Sequence, residues 1–480
     1  MTRTVFVSGN FNVLHPGHLR LFRFAREMGD RLVVGVQSDR IGGDAVHIPE
    51  ELRLEGVASN SFVDECFLFD ESVSDVIARI RPSVVVKGRE HEGGANPEAA
   101  ALEIYGGQLV FSSGEAVFSS LDLIRADVVE DRSRLTGSPS SYLERHGIEP
   151  SEVRSVLNQF SGLTVCVVGD LIIDEYVTCD ALGMSQEDPT VVVTPIDTRR
   201  YLGGAGVVAA HAAGLGATTH LLSVAGDDKT REFAVDELKK WGVRAHPLID
   251  ETRPTTLKQR FRAEGMTLLR VSHLHQGSID GELQDRLLAR FDEVVEECDL
   301  LVFSDFNYGC LPQPLVNELS RRARSAGLRV AADSQSSSQI GDVSRFGAVD
   351  LLTPTEHEAR VSLREQDAGL VVLAEGLRAK SDAANIVLKL GAEGALLHFG
   401  DDAGEFQTDR IPSLNPNPRD VAGAGDSLLA LFATGLASGQ AMMPTAALAC
   451  CMAALAVETM GNTPINAAAL RSSLQEVLLP

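Results

Sequence analysis

The chain has 480 residues, more than one ordinary hydrophobic core serves, so two domains are expected, each able to bury a sizeable interior. A formal net charge of −24 sets the chain's field against nucleic acid and anionic membranes. Neither is an expected partner, and any phosphate site must be built locally. Seven scattered cysteines without C-x-x-C spacing argue against a disulfide framework, and no run approaches the ~18 apolar residues of a membrane span, so a reducing cytoplasm is the expected location.

In chain order, residues 4–125 alternate β-branched runs with helical patterns. Thr4 to Ser8 reads as a strand, Pro16 to Met28 as a helix and Arg31 to Val36 as a strand; a helix after Ser72 precedes the strand Ser83 to Val86. This is the rhythm of a doubly wound, Rossmann-like parallel sheet. Between about 126 and 162 the rhythm lapses into the polar stretch RSRLTGSPSSYLERHG, followed by an amphipathic helix near Ser151 to Phe160. Alternation resumes from Leu163 through LLVFSDF, LRVAADS, VDLLTPT and NIVLKLG. The expectation is an α/β protein with a first domain over 1–126, a linker with a helix over 127–160 and a second α/β domain over 161–480.

The segment VFVSGNFNVLHPGHLRLFRFA runs from strand through a turn into a helix and places His15 and His18 at the helix N-terminus. Free backbone N–H groups and the helix dipole favour anions there, Gly17 admits a phosphate close to the backbone, and imidazoles can neutralise charge developing as pyrophosphate leaves. Chance matches to H-x-G-H number about 0.03, given the chain's own histidine and glycine content. The motif and its setting resemble the cytidylyltransferase-like family of HxGH nucleotidyltransferases. The resemblance implies nucleotide contacts from Gly9, Asn10, Phe11 and Gly17, from Lys87 and Gly88 in VVVKGRE, and from Ser119, Ser120 and Arg125 in FSSLDLIR. Asn12 stands where many relatives carry Asp.

The run RDVAGAGDSLLALFATGLASG sets Gly423, Ala424 and Gly425 at a helix start, directly before Asp426. Successive amides there form an anion hole for a phosphoryl group, and Asp426 can accept a proton from an attacking hydroxyl. Residues 163–470 resemble the ribokinase-like carbohydrate kinases, whose fold carries a small β lid. The resemblance implies sugar contacts from Asp174 in VVGDLIIDEY, from Gly203 and Gly204 in YLGGAGVVAAHAAGLGA, and from Asp426 itself. It further implies a Mg²⁺ role through water for Glu358 in TPTEHEA, and nucleotide contacts from Lys389, Gly391 and Gly394 in KLGAEG. Strand-rich segments 175–200 and 255–272 are the expected lid, through which such kinases often form homodimers.

Pairing the two domains resembles the bifunctional heptose-phosphate kinases and adenylyltransferases of bacterial ADP-heptose synthesis, with the domain order reversed. The echoes MSQEDPTVVVTP, FSDFNYGCL and KQRF favour that branch. This resemblance implies ATP-dependent, Mg²⁺-dependent phosphorylation of a sugar phosphate, such as heptose 7-phosphate at its anomeric hydroxyl, then transfer of AMP onto a sugar 1-phosphate. Four positions depart from the pattern: Val207 and Thr355 replace Asn, while Tyr308 and Gln335 replace Lys. Lys258, Arg260, Arg262 and Arg270 could supply replacement charge. The alternative is a nucleotidyltransferase for another sugar phosphate, attached to a kinase domain that only binds nucleotide or dimerises.

Overall fold

Short β-branched runs become the strands of separate sheets in a computed structural model that describes residues 3–12, 14, 16–42, 46, 48–60, 62–88, 96–111, 139–185, 190–263, 266–335, 341–400, 406–415 and 417–478. The chain divides into two units, Met1–Arg132 and Ser133–Pro480. Among the described residues of the first, the strands β1 (Thr4–Gly9), β2 (Arg31–Gln37), β3 (Glu65–Phe69), β4 (Val84–Lys87) and β5 (Gln108–Phe111) form one parallel sheet in the order β3-β2-β1-β4-β5. Val5, Val7 and Val34 pack on one face with Phe22, while Phe6, Val33 and Val85 pack on the other with Val76, Ile77 and Leu102. Burial on both faces explains why these strands read as continuous apolar runs rather than alternating ones.

The second unit is built on a sheet in the order β10-β9-β6-β13-β14-β15-β16-β17-β18. Its strands are β6 (Thr164–Gly169), β9 (Thr218–Ala225), β10 (Arg244–Ile249), β13 (Leu300–Asp305), β14 (Arg329–Ser334), β15 (Leu351–Leu352), β16 (Asn385–Lys389), β17 (Ala395–Gly400) and β18 (Phe406–Ile411). Pairing is parallel up to β16, and β17 and β18 run antiparallel at that edge. A second sheet, in the order β12-β11-β7-β8, is the expected lid: β7 (Leu171–Met184), β8 (Val191–Gly204), β11 (Thr256–Ala263) and β12 (Met266–His273).

Helices Ala424–Ala437 and Met442–Ala456 are apolar on nearly every side and accordingly lie buried in the core. Residues 139–160 differ from a linker. Helices Ser140–His146 and Pro150–Asn158 place Tyr142, Leu143, Val153, Val156 and Leu157 in the same apolar cluster as Leu448 and Met452. The Tyr142 hydroxyl donates to the Met443 carbonyl at 3.0 Å, so packing of the second unit begins before residue 161.

Candidate active sites

In the first unit the strand order reverses between β1 and β4, and the carboxyl ends of two strands at such a point leave a crevice for a ligand. The residues Gly9, Asn10 and Phe11 leave β1 there, and helix Pro16–Glu27 begins with Pro16, Gly17 and His18. Phe11 is buried with φ at 50°, a costly conformation for a residue with a side chain. Its ring packs edge-on to His18 at 5.1 Å and against Phe22 at 5.3 Å, which fixes the imidazole over the turn. The buried Asn10 Oδ1 has no hydrogen-bond partner among the described residues. Lys87 ends β4 with Gly88 following, and its ammonium pairs with the buried Glu98 carboxylate at 2.8 Å. His15, Ser119, Ser120 and Arg125 lie outside the described residues.

Arg53 is the residue that sequence reasoning missed in this unit. Its guanidinium is fully buried and donates to the carbonyls of Asn10 at 2.6 Å and Ile48 at 2.8 Å while pairing with Asp39 at 2.6 Å. One side chain thus ties the turn after β1 to two other loops. The geometry satisfies a buried charge completely, which burial of an arginine requires.

In the second unit a cavity of about 210 Å³ opens between lid and main sheet, lined by Asp174, Gly204, Lys258, Arg260, Gly423 and Asp426 among others. Asp174, on β7, is buried. Its Oδ1 pairs with Arg260, and its Oδ2 accepts from Asn462 Nδ2 at 2.9 Å. A Cβ at Gly203 would collide with that Oδ2, so the position needs glycine for close approach. Gly204 caps the helix Ala205–Gly214, in which Val207 is a fully buried core residue.

Opposite stands the start of helix Ala424–Ala437. Gly423 takes φ of 81° at the N-cap, and Ala424, Gly425 and Asp426 form the first turn, whose amides have no intrahelical acceptor. Asp426 is buried, and burial together with the nearby Asp333 carboxylate pushes its pKa up to about 7, with Lys389 opposing the shift. Gln335 donates to Asp426 Oδ1 at 3.4 Å.

Lys389 Nζ pairs with Asp333 Oδ2 at 2.7 Å, and both groups are buried. Burial pushes Asp333 up to about 6, partly offset by Lys389. For Lys389 burial acts downward, but Asp333 and Glu358 outweigh it and hold the ammonium above the usual lysine value. The Glu358 carboxylate accepts from the Thr355 amide at 2.7 Å, and Thr355 Oγ1 accepts from the Glu358 amide at 3.2 Å, so Thr355 caps this helix where relatives carry Asn. Gly391 and Gly394 bound the turn between β16 and β17, directly after Lys389.

Asp174, Gly204, Gly423 and Asp426 therefore share one cavity, Lys389 joins Asp426 through electrostatics, and Glu358 acts on Lys389 and Asp333. Asp333 and Asn462 escaped the sequence reading. The only signal for Asp333 was its place at the carboxyl end of a strand, and Asn462 had none.

Comparison with known proteins bears on both units. The cytidylyltransferase-like family profile matches residues 6–106, and the pfkB family carbohydrate kinase profile matches residues 163–468. Among curated proteins, the chain is 30% identical over 322 residues to "Bifunctional protein HldE" of Desulfatibacillum aliphaticivorans, covering 66% of this chain and 64% of that protein. It is 30% identical over 305 residues to the protein of that name from Campylobacter jejuni subsp. jejuni, covering 63% and 62%. The chain thus spans less than two thirds of the length of these two relatives. Among solved structures, Escherichia coli phosphofructokinase-2 with potassium superposes with a TM-score of 0.54 at 16% identity, covering 66% of this chain and 99% of that one. Arabidopsis thaliana ribokinase, complexed with ribose and ATP, gives 0.51 at 17%, again over 66% and 99%. These two share the fold of the second unit. With the profile match extending over well more than half of its length, the chain belongs to the pfkB family of carbohydrate kinases.

Proposed function

We propose that the chain is a bifunctional sugar-activating enzyme. Its second unit phosphorylates a sugar phosphate from ATP, with heptose 7-phosphate at the anomeric hydroxyl as the favoured substrate. Its first unit transfers AMP from ATP to a sugar 1-phosphate, yielding an ADP-sugar and pyrophosphate. The observation that carries the kinase reading is the buried Asp426 at a glycine-flanked helix start, facing a cavity that also holds Asp174.

Asp174 is held by Arg260 and Asn462 and keeps lone pairs for sugar hydroxyls. Asp426 takes the proton as the sugar oxygen bonds to the γ-phosphorus and the bond to ADP breaks, while the amides of Ala424 and Gly425 stabilise the transferring group. Among the described residues no group of three or more acidic, His or Cys side chains could hold a metal by itself. The cluster still suits Mg²⁺ carried in with a nucleotide, because Asp333, Glu358 and Asp426 outnumber Lys389 and Asp333 Oδ1 is buried without a partner. Glu358 and Asp333 would hold it through water. Bound Mg²⁺ neutralises charge on the phosphate oxygens.

In the first unit His18 at the helix start, with His15 beside it in the motif, neutralises charge on the α-phosphate as a sugar 1-phosphate oxygen displaces pyrophosphate. A kinase unit that only binds nucleotide would have no use for a buried base held near neutrality. Exposed Leu182, Val191, Val192, Ile196 and Leu269 on the lid strands favour a homodimer through the lid. No helix among the described residues is long and apolar enough to cross a membrane.

The test is ADP formation from ATP and heptose 7-phosphate with Mg²⁺, comparing the native chain with Asp426→Asn. Pyrophosphate release from heptose 1-phosphate is run in parallel with ATP, CTP, GTP and UTP. The expected result is loss of ADP formation in the variant and release with ATP. Equal ADP formation by both proteins overturns the kinase reading, and no release with ATP overturns the transferase reading.

A further inference from the structure

Three cations, Lys258, Arg260 and Arg270, line the cavity that also holds Asp174 and Asp426. They are not equivalent. Arg260 is engaged by Asp174 and stacks over Tyr176 at 5.0 Å. No carboxylate pairs with Lys258 or Arg270 among the described residues. Lys258 Nζ instead lies 4.9 Å from the Phe306 ring centre and 5.0 Å from that of Tyr308. Aromatic faces hold an ammonium in place without cancelling its charge, so it remains available to an anion. A carboxylate partner would have neutralised it.

The two rings are themselves built into position. Asp170, buried at the end of β6, accepts from the amides of Phe306 at 2.8 Å and Tyr308 at 3.3 Å through one oxygen, and from Cys310 at 3.2 Å through the other. Tyr308, where a lysine was expected, is thus the platform for a lysine arriving from the lid. On the lid itself Arg270 of β12 lies directly opposite Arg260 of β11 in register. Residues directly opposite stand on one face of a sheet, so Arg270 shares the cavity face with Arg260, whose charge Asp174 already balances, and with Lys258.

We propose that Lys258 and Arg270 form the subsite for the phosphate already carried by the sugar, separate from the glycine-turn amides that face the transferring group. This inference rests on the kinase reading above and names the residues that hold the sugar's existing phosphate. A neutral sugar would leave two cations in the cavity without a partner.

The test uses the full chain and two probes. Kinase kinetics with heptose 7-phosphate and with the same heptose lacking phosphate are compared for the native protein, Lys258→Met, Arg270→Gln and Lys258→Arg. Each neutral variant should raise KM for the phosphorylated sugar between about tenfold and a hundredfold, the range of one charge-assisted contact. The KM for ATP and turnover of the unphosphorylated sugar should not change, and Lys258→Arg should recover most of the loss because arginine keeps both charge and ring contact. Equal effects on both sugars, or a raised KM for ATP, overturns the proposal. The second probe is inorganic phosphate, titrated calorimetrically into protein saturated with a non-hydrolysable ATP analogue and Mg²⁺. Phosphate binding lost in both neutral variants upholds the subsite even if heptose 7-phosphate is not turned over, in which case only the choice of sugar fails. Binding unchanged in those variants overturns the subsite and leaves the kinase reading standing.

Discussion

Asp426 is a buried carboxylate whose pKa is pushed up to about 7 by that burial and by Asp333, against the pull of Lys389. A base poised near the working pH combines a useful ionised fraction with real proton affinity. Phosphoryl transfer should therefore rise with pH through about 7, as the Asp426 proton is lost, and level off above it. The same shift has a consequence for stability. The unfolded carboxyl ionises near its ordinary value of 3.8 while the folded one still holds its proton, so folding binds the extra proton and stability falls as pH rises between these limits. Asp426→Asn removes the cost. The variant should be inactive as a kinase yet melt higher than the native protein, with a difference that is small in acid, grows up to about pH 7 and then stays constant. Thermal melts across this range check it, and a difference independent of pH would assign the base a normal pKa.

The helices Ser140–His146 and Pro150–Asn158 lie ahead of the first strand of the kinase sheet but belong to its core. Tyr142, Leu143, Val153, Val156, Leu157 and Phe160 are all buried there. Each such side chain stabilises by about 1.5–3 kcal/mol, so the six together contribute about 9–18 kcal/mol, comparable to the roughly 5–15 kcal/mol net stability of a typical fold. A fragment over 133–480 should fold with a cooperative thermal transition, whereas one over 161–480 should be insoluble or lack such a transition; a cooperative melt of the shorter fragment would refute this. Ser140–His146 buries only Tyr142 and Leu143, and two apolar anchors in a polar heptapeptide give no periodicity to read. The strands were legible because Val5–Val7, Val84–Val86 and Leu300–Phe303 are buried on both faces and so stay apolar throughout. Asp426 and His18 were legible because small residues and helix starts surround them. Arg53 was not, since its acceptors at Asn10, Asp39 and Ile48 converge only in three dimensions; Lys258 could be named as a replacement cation, but not the rings that hold it, which come from a loop about fifty residues away.

At the scale of the whole chain, a net charge of −24 opposes the approach of anionic substrates, so on the proposed function recognition would fall to local devices: helix-start amides, His18, and the Lys258–Arg270 pair. Among the described residues, the apolar clusters of the first unit draw on residues up to Val110, and those of the second on residues from Tyr142 onward. The described residues of each unit thus close a core of their own. The two activities should be separable by mutation. His18→Ala removes one neutralising group at the departing pyrophosphate and should slow nucleotidyl transfer by about a hundredfold or more, the scale of losing one preorganised electrostatic group. The kinase rate should stay within about twofold of native, since sites on separate cores without shared partners add independently. Asp426→Asn should give the mirror result, with pyrophosphate release retained and phosphoryl transfer lost. Both rates are read on the same preparation, with circular dichroism to verify folding. If His18→Ala folds normally and loses both activities, the sites are energetically coupled, and separate cores then do not mean separate function.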